Sequence, residues 1–333
     1  MTTESTHGPG RLSVALATYN GERYLEEQLE SYVSQTRLPS ELVVRDDGSV
    51  DGTVALLQAF ARRSPFPVKV IEGERNVGYA KNFEIAISQC TGDVVALSDQ
   101  DDVWLPHKLE KLGSALLDEE AVLAFSDATV VDENLRAQGG RLWDTVRFGR
   151  PLQERTRRGG SNSPMFASTF VTGATCAFKR RLLSLASPFV LPYWHDAWLA
   201  TLAAVLGRVV PIAEPLLLYR QHSSNALGAP ALRPLWRRTV EATRQGSASA
   251  RRVREDTERA YQLYSAVRTR IVDAGYSSPP VAAELDRRID HARFRADLPP
   301  IPSRLVRALR ELANGSYSRY SGGTRGFVRD MVR

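Results

Sequence analysis

The chain holds almost no cysteine: Cys90 and Cys176 are the only two in 333 residues. That excludes a disulfide framework and fits a reducing compartment. Long apolar runs are missing as well. The longest candidate, Leu199–Leu206, covers eight residues, against the roughly 18 that a membrane-spanning helix needs. The first ten residues are polar and lack the apolar core of a signal peptide. They read as a disordered tail, residues 1–10, with no reason to expect export. No G-x-G-x-x-G follows the first apolar run, which argues against a dinucleotide-binding dehydrogenase. No internal repeat is evident. Lysine is absent from residues 230–333, which carry 21 arginines against 11 acids, a balance of +10, whereas residues 1–229 sum to −4. The two parts face different surroundings.

What is present is an ordinary globular composition, 43% apolar and 25% charged, with room for a main domain and an appendage. Short β-branched runs at Leu12–Ala17, Leu42–Arg45, Val68–Ile71 and Val94–Leu97 read as strands buried on both faces. Between them lie helical spacings over Glu22–Gln35, after Asp51 as N-cap (Val54, Leu57, Phe60), and around Phe83–Cys90. This alternation predicts a parallel sheet flanked by helices. Further on, the pattern predicts a helix over Lys108–Leu117, a strand at Val122–Phe125, and a long loop with short helices over Asp132–Pro164. Then come a strand or strand pair in Phe170–Phe178, a helix from Arg180, an apolar helix to Leu206, and two short strands at Val209–Ile212 and Leu216–Tyr219. Beyond Pro230 a long amphipathic helix (Arg251–Ile271) and an Arg-rich helix (Leu305–Leu312) are separated by proline breaks at 279–280 and 299–302.

The stretch Asp93–Lys108 organises the rest. The Val94–Leu97 strand stops in three carboxylates, Asp99, Asp101 and Asp102. Carboxylates this close repel, and burying them is costly; hard oxygen ligands of this kind suit Mg²⁺ or Mn²⁺. An isolated Asp-x-Asp is usually an acidic surface turn. At the end of a buried strand in an open α/β sheet it occupies the usual ligand position. Asn20, Asp46 and Asp47 end two other strands, so parallel strands bring all these groups to one crevice. Asp196, among aromatics at a helix start, suits either a general base or simple helix-dipole complementarity. A lone histidine such as His222 is more often structural than a ligand, although neighbouring Arg220 points to an anion-facing loop.

Seven segments in order resemble the family 2 glycosyltransferases, inverting enzymes of the GT-A fold. They are Val14–Gly21 (VALATYNG), Val43–Thr53 (VVRDDGSVDGT), Asn76–Asn82 (NVGYAKN), Leu97–Trp104 (LSDQDDVW), Val171–Arg180 (VTGATCAFKR), His195–Trp198 (HDAW) and Tyr219–His222 (YRQH). The wording is most similar to bacterial rhamnosyltransferase-type members that build cell-surface polysaccharides. The resemblance implies a GT-A catalytic domain over residues 11–229 and leaves 230–333 as a basic helical region. Thr18, Tyr19 and Asn20 would line the nucleotide crevice, with Asp46 and Asp47 bonding the base. Asn76, Lys81 and Asn82 would hold nucleotide and sugar, with Lys81 standing where the family commonly has arginine. Asp99 would face ribose and sugar. Asp101 and His222 would ligate a divalent metal, with Asp99 and Asp102 as further candidates. Arg220 would stand beside the diphosphate, and Asp196 would be the catalytic base.

The implied reaction moves a sugar, rhamnose in the narrower match, from a dTDP-, UDP- or GDP-sugar to a hydroxyl of a glycan or lipid-linked acceptor. The expected location is cytoplasmic and peripheral to the membrane's inner face, through an anionic-lipid contact of residues 230–333. A solvated arginine face on a helical bundle is the simpler account of that region. Self-association stays open, and nucleic acid is not an expected partner, since the arginines lack a recognition motif. Two alternatives have other signatures. A sugar-phosphate nucleotidyltransferase would carry a glycine-rich basic loop after the first strand, and a non-catalytic scaffold would have lost acids that are present here, Asp47, Asp101 and Asp196.

Overall fold

In the computed structural model the described residues are 10–159, 170–190, 195–222, 246–321 and 323–331. The tail over residues 1–9, the end of the Asp132–Pro164 loop, Tyr193, Trp194 and residues 223–245 lie outside them. The chain divides into two compact units, one built from the residues before about 232 and one from the C-terminal helices.

The first unit is a nine-stranded sheet in the order β3-β2-β1-β4-β8-β6-β9-β5, with β7 beside β6. Strands β1 (Leu12–Thr18), β2 (Glu41–Asp46), β3 (Val68–Glu72) and β4 (Val94–Ser98) are mutually parallel. Helices α1 (Glu22–Val33), α2 (Thr53–Arg63) and α3 (Tyr79–Ser88) connect them. The apolar runs explain the central strands: Val14, Leu16, Val44, Ala96 and Leu97 are fully buried. Beyond β4 the sheet is mixed. The two-residue β5 (Val103–Trp104) leads into helix α4 (Lys108–Ala115), which starts two residues after Pro106.

Strand β6 (Ala121–Val131) is much longer than its apolar core, Val122–Phe125. Its hairpin partner β7 (Ala137–Arg141) lies inside the expected loop. That strand reads AQGGR and is almost wholly exposed, so neither propensity nor burial marks it. The short helices of that loop are α5 (Leu142–Thr145) and α6 (Arg150–Arg158). After a 3₁₀ turn, Gly173–Thr175, the Phe170–Phe178 segment supplies one strand, β8 (Cys176–Lys179). Arg180 opens a second 3₁₀ turn, Arg180–Leu182, and then the short helix α7 (Leu183–Ala186). Helix α8 (His195–Leu206) follows. The two short strands expected near residue 210 are one strand, β9 (Arg208–Arg220), which passes through Pro211 and Pro215. Pro215 is tolerated because the β6–β9 ladder shifts register at the Ser126/Asp127 step, where Asp127 faces it, whereas Pro211 faces Phe125 in a regular stretch.

The second unit consists of α9 (Gly246–Asp273), α10 (Pro279–Ala296), α11 (Ser303–Ala313), α12 (Ser316–Tyr320) and α13 (Thr324–Met331). The proline pair at 279–280 ends one pattern and starts the next helix, where a missing N–H costs nothing. Part of its arginine is structural: Arg288 pairs with Glu284, and Arg295 with Asp330, all four buried. No helix among the described residues is long and apolar enough to cross a membrane.

One turn fixes the edge where β1, β2 and β4 end. Asp47 is buried, its N–H donates to the Thr18 carbonyl at 2.9 Å, and its carboxylate accepts the N–H groups of Val77 (3.0 Å) and Gly78 (2.9 Å). Gly78 adopts φ +89°, a conformation glycine takes at little cost, just before α3 begins. Without that carboxylate the Val77 N–H loses its acceptor and the Gly78 N–H keeps only Asn76 Oδ1, which costs about 1–3 kcal/mol. Asp47→Ala should therefore lower the thermal midpoint and speed amide exchange at Val77 and Gly78 selectively. Unchanged exchange at those two amides would show that the turn holds itself.

Candidate active site

Three parallel strands deliver their C-terminal ends to one edge. At β1 the Thr18 hydroxyl donates to Asp46 Oδ2 at 2.7 Å. The same carboxylate accepts the Ser49 N–H (2.8 Å) and hydroxyl (2.6 Å). Asn20, at φ +47°, accepts the Val50 N–H on its side-chain oxygen and donates its own N–H to Ser49 Oγ. Asp46 and Asp47 are thus spent on the loops around them, where the family pattern led us to expect contacts to the base. Gln100 ties the tips of β1 and β4: it accepts the Tyr19 N–H and donates to the Tyr19 carbonyl. The Tyr19 ring is 44% exposed at the rim. Asn76 accepts the Gly78 N–H, and Lys81 pairs with Glu84 at 2.8 Å. Asn82 is buried and donates to the Thr18 carbonyl, while its Oδ1 has no partner.

The acids after β4 divide their work. Asp101 Oδ2 meets His222 Nε2 at 2.9 Å, joining the ends of β4 and β9. Asp102 is 1% exposed and accepts the Arg220 N–H at 2.9 Å, leaving Oδ2 unpartnered. Burial raises its pKa well above the usual carboxylate range, with Asp101 and Asp99 adding repulsion. Burial, then Asp101 and Asp196, pushes Asp99 up to about 7. Asp99 and Asp196, nearly a hundred residues apart, therefore act on each other electrostatically at this edge.

Arg220 differs from the anion-facing role expected of it. Its side chain is 1% exposed and fully engaged: Nε donates to the Asp101 carbonyl (2.7 Å), Nη1 to the Glu133 carbonyl (2.6 Å), and Nη2 to Glu27. The guanidinium also lies over the Tyr24 ring. It clamps the acidic turn through Asp101 and Asp102. His222 sits against the same Tyr24 ring, with centroids 4.7 Å apart.

Asp196 reaches the edge from the far side of the sheet. Strand β8 runs antiparallel to β4, so its entry turn, Gly173–Thr175, lies where β4 ends. The Gly173 N–H donates to Asp196 Oδ2 at 3.2 Å, and the Ala197 N–H to Oδ1 at 2.7 Å. Helix α8 thus begins with its acid fixed over the acidic turn.

Lys108 was missed by motif reasoning. It is 0% exposed, donates to the Ala174 carbonyl and lies 3.7 Å from the Trp104 ring centre. Burial lowers its pKa, while Asp102 and Asp99 pull it back up. The signal was there: Lys108 lies four residues before Leu112, on the apolar stripe of α4. His195 entered only within the HDAW segment, and Gly173 only within VTGATCAFKR.

The donors present suit a divalent cation: a carboxylate and an imidazole in contact, beside an acid whose pKa is raised by burial and then by its acidic neighbours. Among the described residues no three His, Cys, Asp or Glu side chains converge as a complete metal site. The protein thus offers a partial donor set, the kind that Mg²⁺ fills with phosphate oxygens and water.

A 27% identical stretch of 218 residues, 65% of this chain and 66% of the relative, matches an uncharacterized glycosyltransferase of Nostoc. A dTDP-rhamnosyl transferase of Shigella flexneri is 26% identical over 227 residues, 64% of this chain and 74% of that protein. Across the first relatives matched, this chain spans from about half to two thirds of their length. Among solved structures, S. aureus TarS 1–349 in complex with UDP-GlcNAc superposes with a TM-score of 0.58 at 16% identity, over 97% of this chain and 90% of that one. A Pyrobaculum calidifontis mannosyltransferase in complex with GDP-Man and Mn²⁺ gives 0.54 at 19% identity, over 98% and 86%. These two share the fold. The family model for glycosyl transferase family 2 matches residues 13–184, just over half of the chain, and the chain belongs to that family.

Proposed function

We propose that this chain transfers a sugar from a nucleotide-diphosphate donor to an acceptor hydroxyl, with inversion at the anomeric carbon. The observation that carries the proposal is the meeting, at one sheet edge, of the Asp101–His222 pair, Asp99 and Asp196. Thr18, Tyr19, Asn20, Asn76, Lys81 and Asn82 would line the nucleotide side. Asp46, Asp47 and Arg220 would act indirectly, by holding the loops that form it. Asp101 and His222 would hold Mn²⁺ or Mg²⁺, with Asp99 alongside, and such a cation when bound supplies a Lewis acid for the departing diphosphate. Relatives support the choice of donor class: the named complexes hold UDP-GlcNAc and GDP-Man, and one relative is called a dTDP-rhamnosyl transferase. A rhamnose donor and a cell-surface glycan or lipid-linked acceptor are the finer form of the proposal.

Asp196 is placed to take the proton from the acceptor hydroxyl as that oxygen attacks opposite the leaving diphosphate. Two backbone N–H groups fix its carboxylate, and each oxygen keeps acceptor capacity for the incoming hydroxyl. A single displacement needs no covalent sugar intermediate, so no second carboxylate is required as nucleophile.

A second observation favours a membrane contact for the C-terminal unit. On α11, Leu305, Val306 and Leu309 are 42%, 61% and 49% exposed and share one face, with Arg304 and Arg310 flanking it. An apolar stripe with basic edges fits the interface of an anionic bilayer.

Four outcomes are expected. In a thermal-shift screen of UDP-, dTDP- and GDP-sugars with Mn²⁺ or Mg²⁺, one nucleotide class should raise the midpoint. Stabilisation reaches about 2.7 kcal/mol at a hundred times Kd. Excess EDTA should silence donor turnover reversibly, and Asp101→Ala permanently; full activity in chelator would refute the metal role. Asp196→Asn should cut kcat at least about 10²-fold with donor affinity unchanged, and an effect confined to KM would point to a different base. The full chain should sediment with vesicles containing phosphatidylserine, less so in high salt, and Leu305→Glu with Leu309→Glu should abolish this. Equal binding to neutral phosphatidylcholine vesicles would count against the lipid contact.

A further inference from the structure

Beside Asp196 sits a histidine with nothing to bond to. His195 opens α8 and is 7% exposed, yet neither Nδ1 nor Nε2 has a hydrogen-bond partner. One face of its ring stacks on Phe83, with centroids 4.1 Å apart and planes at 24°, and the Tyr79 ring stands edge-on at 6.2 Å. Gly173 lies against the nitrogen edge: a Cβ there would come within 2.5 Å of Nε2. Any larger residue at position 173 would push the imidazole out of its place. The same glycine holds Asp196 through its N–H, so one backbone position spaces both side chains. Burial lowers the imidazole pKa against the pull of Asp196. The ring is then neutral, with one donor and one acceptor nitrogen.

A buried polar group without a partner costs about 1–3 kcal/mol. Phenylalanine would keep the stack on Phe83 without that cost. Packing therefore does not explain an imidazole here. Its chemistry matches a sugar ring, whose hydroxyls each donate and accept. The stacking partners, Phe83 and Tyr79, come from α3, the helix whose first turn Asp47 holds at the nucleotide edge. His195 therefore packs against α3 and stands next to Asp196 in the chain.

We propose that His195 hydrogen-bonds a hydroxyl of the donor's sugar ring and so holds the anomeric carbon facing Asp196. The inference rests on the sugar-transfer reading and adds a sugar-selecting contact to it. A trapped water could also satisfy the ring, and the test separates the two.

The full chain with Mn²⁺ would be titrated calorimetrically with three probe pairs: UDP and UDP-glucose, dTDP and dTDP-glucose, GDP and GDP-mannose. Wild type, His195→Phe and His195→Gln would be compared, with thermal melting of each. For the pair that binds, His195→Phe should leave the diphosphate Kd unchanged and weaken the sugar nucleotide about tenfold, the worth of one hydrogen bond of about 1.4 kcal/mol. It should melt at or above the wild-type midpoint, because the unpaired nitrogens are gone. His195→Gln, which keeps a donor and an acceptor, should bind the sugar nucleotide more tightly than His195→Phe. Equal affinity of wild type and His195→Phe for both probes would overturn the proposal and leave a water-filled packing site. An equal loss for both probes would overturn it too, as general disturbance of the crevice. If no pair binds wild type, the sugar-transfer reading itself fails and this inference falls with it.

Discussion

Like charges crowded at the end of a buried strand are the constraint that shapes this protein. Asp99, Asp101 and Asp102 stand within four positions, and two of them are driven toward protonation by burial and by one another. Desolvated carboxylates cannot persist without compensation. The chain meets this with Arg220 and His222, drawn from the distant end of β9, and with Lys108, close by at the start of α4. Strand β9 must run unbroken past two prolines to bring the first two there. The long β6 beside it serves the same end, since its last residues pair with Tyr219 and Arg220.

The cations that compensate the acids are themselves engaged within the protein. Arg220 is consumed by Glu27, Glu133 and Asp101, and Lys108 by Ala174 and Trp104. The cations that make the acidic turn affordable are therefore not the ones that would touch a diphosphate. Asn82 Oδ1, Asp102 Oδ2 and both nitrogens of His195 are buried without partners. Natural proteins pair nearly all such atoms; these four belong to residues near the acidic edge, while another, Trp143 Nε1, lies on α5.

The parallel strands were legible because their apolar runs are short, β-branched and punctuated by polar turns, and the site acids because they stand at those punctuation marks. The edge strand β7 was not, since glycine and exposed polar residues carry no periodicity. Arg220 shows the limit for site residues. Its position after a strand was readable, but its partner Glu27 lies 193 residues away, and only the fold reveals that the guanidinium points inward. Lys108 was hidden in a different way: a lysine on an apolar stripe is read as a solvated end until its burial is seen. Arginine in the C-terminal unit likewise read as one surface, whereas Arg288 and Arg295 belong to its interior.

The turn held by Asp47 has a consequence for how a ligand would be received. Its N–H and its carboxylate join the end of β1 to the start of α3 before any ligand arrives. A pocket wall assembled in advance spares an incoming molecule the entropy of ordering it. Tight binding can then come from few contacts, and discrimination between similar ligands falls to side chains that reach past the wall.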